Sequence, residues 1–204
     1  MWGLVQDGSI TKIINKPKGL VIGDIRHSRN IFSFRWTNEE REAIGIYEVV
    51  FDNSNKKDEA YYINTNQSFN FADGKVTASF GTATAKLLED RNEVDEAGEP
   101  LLDDKGNQVV TKGLKTQKKT IIKSQASGLL APTDWYVIKA IDVESYSVPS
   151  AVTTYRANVR TKSNEMEVLI DACSTVDELA ALYAYTEQED GSHTRPLGEF
   201  PEEV

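Results

Sequence analysis

Gln67-Ser68-Phe69-Asn70-Phe71-Ala72-Asp73-Gly74-Lys75-Val76-Thr77-Ala78-Ser79-Phe80 alternates polar and apolar residues on both sides of an Asp-Gly pair. Period-two alternation places one face of a strand against a core, and Asp-Gly supplies the positive φ angles of a tight hairpin turn. The stretch therefore predicts a hairpin of Gln67–Phe71 against Lys75–Phe80, and with it an antiparallel β-rich half. Outward from it, Ile46–Phe51 and Glu59–Ile63 carry further strand signals, as do Ser9–Ile14 and Gly19–Arg26 on either side of Asn15-Lys16-Pro17-Lys18. Proline in that linker cannot donate to a ladder and its lysines keep the turn in water. Thr37-Asn38-Glu39-Glu40 has the spacing of a capping box, so a short helix is expected through about Ile44, with Gly45 as its stop.

Near residue 90 the period changes. Residues 91–112 are polar and turn-rich, an acidic connector in which Leu101–Leu102 and Gln108–Val110 can close a small hairpin over Asp103-Asp104-Lys105-Gly106. Beyond it, Leu114, Ile121, Ile122, Gln125, Leu129 and Leu130 predict a helix ending before Pro132, since the residue preceding proline is pushed out of the α region. Val152, Tyr155, Val159, Met166, Leu169 and Cys173 fall on alternating steps of three and four, with Lys162 at the missing seam position. This stripe reads as the buried face of a helix in a small bundle, with an intermolecular coiled coil as the alternative. A second capping box, Thr175-Val176-Asp177-Glu178, opens a last helix carrying Leu179, Leu182 and Tyr183. The expected class is α+β: a β-rich domain over 1–90, the connector 91–112, a helical domain over 113–186 and an acidic tail over 187–204.

The chain has 204 residues, 39% of them hydrophobic and 27% charged, the composition of a soluble globular protein of one large or two small domains. Its formal charge is −9, and no clustered basic surface of the kind that displaces counterions from a phosphate backbone is evident. The connector and tail hold most of the excess: residues 91–112 carry 3 basic and 6 acidic residues, and 187–204 carry 1 and 6. These read as solvated segments, and neither nucleic acid nor membrane is expected as a partner. Met1–Gly8 has neither a basic nor an apolar leader region, and no window approaches the roughly 20 apolar residues of a bilayer span. The expectation is a protein made and kept soluble in a cytoplasm.

Motifs for chemistry are sparse. Cys173 is the only cysteine and His27 and His193 the only histidines, so no disulfide and no thiolate zinc cluster is expected. Neither histidine has a second ligand at helical spacing, and phosphate-loop, dinucleotide and nucleophile-elbow motifs are absent. Asp103 and Asp104 lack the ligand spacing of a calcium loop. No catalytic residue, cofactor or metal is therefore assigned, and the chain is expected not to be an enzyme. Trp36 stands just before the first capping box, where an apolar residue can staple the helix start, and Tyr47 follows the Gly45 stop. Trp135 and Tyr136, after Thr133 and Asp134, are expected to anchor a pair of helices.

Phe34-Arg35-Trp36-Thr37-Asn38-Glu39-Glu40, followed by Gly45-Ile46-Tyr47-Glu48-Val49, resembles a tryptophan, double-glutamate and Gly-Ile-Tyr segment of small bacteriophage tail-associated and tail fibre assembly proteins. Leu129-Leu130-Ala131-Pro132-Thr133-Asp134-Trp135, then Val148-Pro149 and Tyr155-Arg156-Ala157-Asn158-Val159-Arg160, is similar to their helical end. The chain also resembles virion proteins of marine phages, particularly those infecting cyanobacteria. The resemblance covers residues 31–49 and 129–160. It implies a non-enzymatic structural protein of the virion tail or tail fibre that docks to other tail or fibre proteins, and to further copies of itself in a homo-oligomer. Two alternatives stay open: a tail fibre assembly chaperone acting only in the host cytoplasm, and a receptor- or glycan-binding tip module. The residues expected to brace or dock are Trp36, Gly45, Tyr47, Thr133, Asp134, Trp135, Tyr136, Tyr155 and Arg156.

Overall fold

The computed structural model of the protein describes residues 1–202. It has the α+β organisation expected, and its contacts divide it into two compact units, Met1–Thr84 and Ala85–Val204.

In the first unit, β1 (Trp2–Gln6), β2 (Ser9–Ile14), β3 (Leu20–Ile22), β4 (Ile25–His27) and α1 (Asn38–Glu42) lead into β5 (Ile46–Asp52). Then come β6 (Tyr62–Ile63), β7 (Ser68–Ala72), β8 (Lys75–Ser79) and the short β9 (Thr84–Ala85). Five strands form one curled sheet in the order β2-β1-β5-β8-β7, with β2 and β7 approaching each other. The predicted hairpin is present: β7 pairs with β8 antiparallel, and Asp73 and Gly74 take φ angles of 50° and 70° at its turn.

The sheet departs from the antiparallel expectation at one pairing, because β5 and β8 run parallel. A parallel neighbour needs a crossover of a dozen or more residues, and the segment after β5 is long enough to supply one before the chain returns through β7. The expected strand 19–26 is also two strands. Gly23, at φ 58°, turns the chain so that Leu20–Ile22 pairs back on Ile25–His27. Of the expected strand 59–63 only Tyr62–Ile63 forms, because Asp58 folds the preceding residues into a turn that accepts from the Tyr61 and Tyr62 N–H groups.

Alternation sorts the strand residues into two apolar layers, and Ile31, from the 3-10 turn Arg29–Phe32, joins the first. Leu4, Ile14, Leu20, Ile31 and Ile46 make one, and Val5, Val49, Val76 and Ala78 make the other. Ile10 and Ile14, although separated by an even step, serve opposite layers. Leu4 pairs with Lys12 but Val5 with Ile10, leaving Thr11 as an extra residue whose bulge reverses the facing of the strand. Buried apolar side chains are each worth about 1.5–3 kcal/mol, so these layers carry most of the unit's stability.

The second unit opens with β10 (Arg91–Asn92) and β11 (Val110–Thr111), paired antiparallel, and between them the bridges Val94–Pro100 and Leu102–Gln108. Residues 91–112 are thus ladder and turns. Asp95 accepts from the N–H groups of Ala97 and Glu99, and Asp103 from those of Lys105 and Asn107, so each aspartate closes its own turn. The helices follow: α2 (Leu114–Leu130), α3 (Asp134–Asp142), α4 (Ser150–Ala172) and α5 (Val176–Ala181). Residues 131–133 make one 3-10 turn between α2 and α3. The apolar stretch after Thr133 is therefore helix α3. In the acidic 187–204 segment, β12 (Thr186–Glu187) pairs with β13 (His193–Thr194) and Leu197 is buried. Its last two residues lie outside the described ones.

Helices α2 and α4 pack side by side. Lys115, Lys119 and Lys123 recur every fourth residue along α2. Lys119 meets Asp171 at 2.6 Å and Lys123 meets Glu167 at 3.1 Å, while the buried Lys115 donates to Glu89 and to the Asp171 carbonyl. Lysine number rises as its partner's number falls, which is the signature of antiparallel helices. Asp171 holds the Lys119 ammonium above the usual lysine range.

The α4 seam keeps Val152, Tyr155, Val159, Met166 and Cys173 of the expected stripe but changes phase between its ends. Ile170 is fully buried whereas Leu169 is 37% exposed, and Ser163 is inside in place of Lys162. The buried positions therefore include both Tyr155 and Arg156, and from 156 the row runs 159, 163, 166, 170 and 173, the same alternation of steps taken in the other order. Arg156 and Ser163 on that row are polar, which hid it from an apolar search.

Candidate docking site

The residues singled out at sequence level separate into two groups. In the first unit, Trp36 packs against the Leu4–Ile46 layer, and Tyr47 sets its ring 4.7 Å from that of Phe71 in the opposite layer. The Thr37 capping box is formed: the Glu40 carboxylate accepts from the Thr37 N–H at 2.8 Å and the Thr37 hydroxyl accepts from the Glu40 N–H at 3.2 Å. Gly45 has φ 80°, and a Cβ there would lie 2.5 Å from the Val5 carbonyl oxygen. These residues hold the sheet and the helix start together.

In the second unit the structure brings Thr133, Asp134, Tyr155 and Arg156 to one point, where α2 ends, α3 begins and α4 crosses them. Leu130 ends α2 with carbonyls that have no helical partner beyond it. Arg156 reaches from the buried face of α4, donates to the Leu130 carbonyl at 2.9 Å and to the Thr133 hydroxyl, and pairs with the Asp134 carboxylate at 2.7 Å. Tyr155, one residue earlier, donates its hydroxyl to the Leu129 carbonyl at 3.3 Å and buries its ring with Ala126 and Val159. One guanidinium thus closes the carboxyl end of α2 and the amino end of α3. Its cation suits the former, and Asp134 in the first turn of α3 suits the latter. The fork geometry is what allows three acceptors to be served at once.

Trp135 does not anchor the helices as expected, whereas Tyr136 is half-buried. Trp135 is 50% exposed and stacks on Tyr136 with ring centroids 3.8 Å apart. The anchoring role falls to Asp134, Tyr155 and Arg156, because α3 is fixed by its first residue and then runs along the surface. None of its residues is buried, and Ile138 and Ile141 join Trp135 in solvent. Ile141, the most exposed of them at 79%, was not singled out from the sequence. The available signal was the run of apolar residues at Trp135, Val137, Ile138 and Ile141 in a helix too short to be a core element.

Cys173 caps α4, its thiol donating to the Leu169 carbonyl at 3.4 Å, and burial pushes the thiol above its usual range, as a packed cysteine requires. Among the described residues no group of three or more His, Cys, Asp or Glu side chains could hold a metal ion, and no helix is long and apolar enough to cross a membrane. No protein-family model, no curated protein and no solved structure matches the chain.

Proposed function

We propose that this chain is a non-enzymatic structural protein of a phage tail or tail fibre that works by docking to neighbouring polypeptides. The observation that carries the docking reading is α3, a helix with no buried residue that exposes Trp135, Ile138 and Ile141 from a junction braced by Arg156. An apolar helix left uncovered on a rigid base is the kind of surface that protein partners cover. The tail assignment is supported by the resemblance over residues 129–160, the stretch that builds this junction. On this reading the protein passes through the host cytoplasm and remains in the particle.

Quantitative mass spectrometry of purified particles tests it. A fixed copy number relative to tail proteins is expected. Absence from particles, with misfolded fibres when the gene is deleted, would assign the chain to fibre assembly instead. The exposed Trp135–Tyr136 stack gives a second reading, a glycan-binding tip, because a half-exposed aromatic face can pack on a sugar ring. Binding on a glycan array that disappears in Trp135→Ala would favour that reading; silence on the array removes it.

A further inference from the structure

Helix α4 has a second face, opposite its buried row. Ala157, Thr161, Asn164 and Val168 recur along it at steps of four, three and four, and all four are exposed. Residues so spaced share one side of a helix. Val168 is 68% exposed and Leu169 beside it 37%, and with Thr161 and Asn164 they wall an open hollow of about 490 Å³. A single exposed aliphatic is ordinary, but these two adjoin each other on one long helix.

The face is complementary to itself. Turned end for end about the midpoint between Lys162 and Ser163, it sets Ala157 level with Val168 of a second copy, and Thr161 level with Asn164. The small Ala157 leaves room for Val168, and the Thr161 hydroxyl can donate to the Asn164 amide oxygen. Each contact then occurs twice, as a two-fold axis requires. Charge follows the same order. Before the midpoint α4 carries Arg156, Arg160 and Lys162 and no acidic residue; after it, Glu165, Glu167 and Asp171 and no basic one. A helix alone favours the reverse, acidic residues at its amino end and basic ones at its carboxyl end. Part of the pattern is answered within the chain, Arg156 by Asp134, Glu167 by Lys123 and Asp171 by Lys119. Arg160 meets no carboxylate among the described residues, and Glu165 pairs only with Lys162, at 3.7 Å. An antiparallel copy lays the basic half of one helix against the acidic half of the other, whereas a parallel copy lays like on like.

We propose that α4 pairs antiparallel with α4 of a second copy of this chain, through the face that runs from Ala157 to Val168. One helix pair buries less than the roughly 1,200–2,000 Å² of a stable complex. The dimer is therefore weak in solution, with a dissociation constant of about 100 µM, and fills where copies are held close together. The pairing uses none of the α3 residues and does not rest on the docking reading above.

The test is sedimentation velocity of the full chain from about 5 µM to about 1 mM, a range that spans the expected constant. The sedimentation coefficient is expected to rise with concentration toward that of a dimer. Val168→Asp places a charge at the centre of the contact and removes the rise, with the melting temperature unchanged because the residue is exposed. Arg160→Glu weakens the dimer about tenfold, since a reversed charge acts at both ends of the pair, and adding Glu165→Arg brings it back to within about threefold of wild type. Trp135→Ala leaves it unchanged. A monomer at every concentration overturns the pairing. So does a dimer that survives Val168→Asp, one that the second charge reversal fails to restore, or one that Trp135→Ala abolishes, which would place the contact on α3. A monomer that still occupies particles at fixed copy number removes the α4 pairing and leaves the docking reading in place, and a dimer absent from particles does the opposite.

Discussion

The sheet unit and the helical unit are held by different physics. In Met1–Thr84 the buried side chains are apolar, disposed in two layers by strand alternation. Every buried polar or charged side chain among the described residues, Lys115, Thr133, Arg156 and Ser163, belongs to Ala85–Val204. Apolar layers stabilise without direction, so they tolerate exchange of one aliphatic residue for another of similar volume. A guanidinium between two helix ends is directional, fixing where α3 starts and so which residues it exposes. The sheet unit is built for stability, and the helical unit also has a surface to position.

The largest test of this contrast is truncation inside each unit. Ile46→Ala removes a fully buried side chain and should cost the sheet unit about 2–5 kcal/mol, read as lost hydrogen-exchange protection in β1, β5 and β8. Arg156→Met should cost the helical unit about 2–3 kcal/mol, read from protection in α2 and α4, because the Leu130, Thr133 and Asp134 acceptors lose their donor. Arg156→Lys should recover less than half, since an ammonium lacks the fork. Full recovery by lysine would mean that charge alone suffices and the contrast is wrong.

The two capping boxes give a smaller effect that should not distinguish the units. Thr37→Ala and Thr175→Ala each remove the hydroxyl that accepts from the Glu40 or Glu178 N–H and leave the glutamate's bond to the cap backbone N–H, and each should cost about 1 kcal/mol in chemical denaturation. A difference of more than twofold would show that one helix start is held mainly by packing.

The smallest effect is in acid. Asp90 closes the start of α2, accepting from Lys112 and from the Gly113 N–H at 2.9 Å each, and those donors lower its pKa from 3.8 to about 2. A carboxyl depressed in the folded state contributes stability that is full above its unfolded pKa and is lost as pH falls through the folded one. The Asp90 contribution should therefore fade between about pH 4 and pH 2, and Asp90→Asn should flatten that part of the stability profile. A carboxyl resonance titrating near 3.8 in the folded protein would contradict the assignment.

Local signals made much of this fold legible. The Asp73-Gly74 turn, both capping boxes, the Gly45 stop and the α2 boundary before Pro132 depend on residues within a few positions of one another, and each is present in the structure. What the sequence concealed was set by distant partners. The parallel β5–β8 pair depends on where a crossover returns, and the Thr11 bulge on register with β1. The phase of α4 was hidden because Arg156 and Ser163 sit on its inner row, where an apolar pattern cannot count them. For the same reason Asp134 and Arg156, 22 residues apart, were marked as candidates without being seen as partners. The exposure of Trp135 follows from the direction in which Arg156 sets α3, which no local pattern encodes.

Occupancy of purified particles by a chain carrying Trp135→Ala and Ile141→Ser decides whether the exposed face of α3 is the docking surface. Both residues lie outside the core, so the melting temperature should stay within a few degrees of wild type, as exposed substitutions usually do, while the chain disappears from the particle. A folded double variant present at the wild-type copy number would contradict docking through this helix.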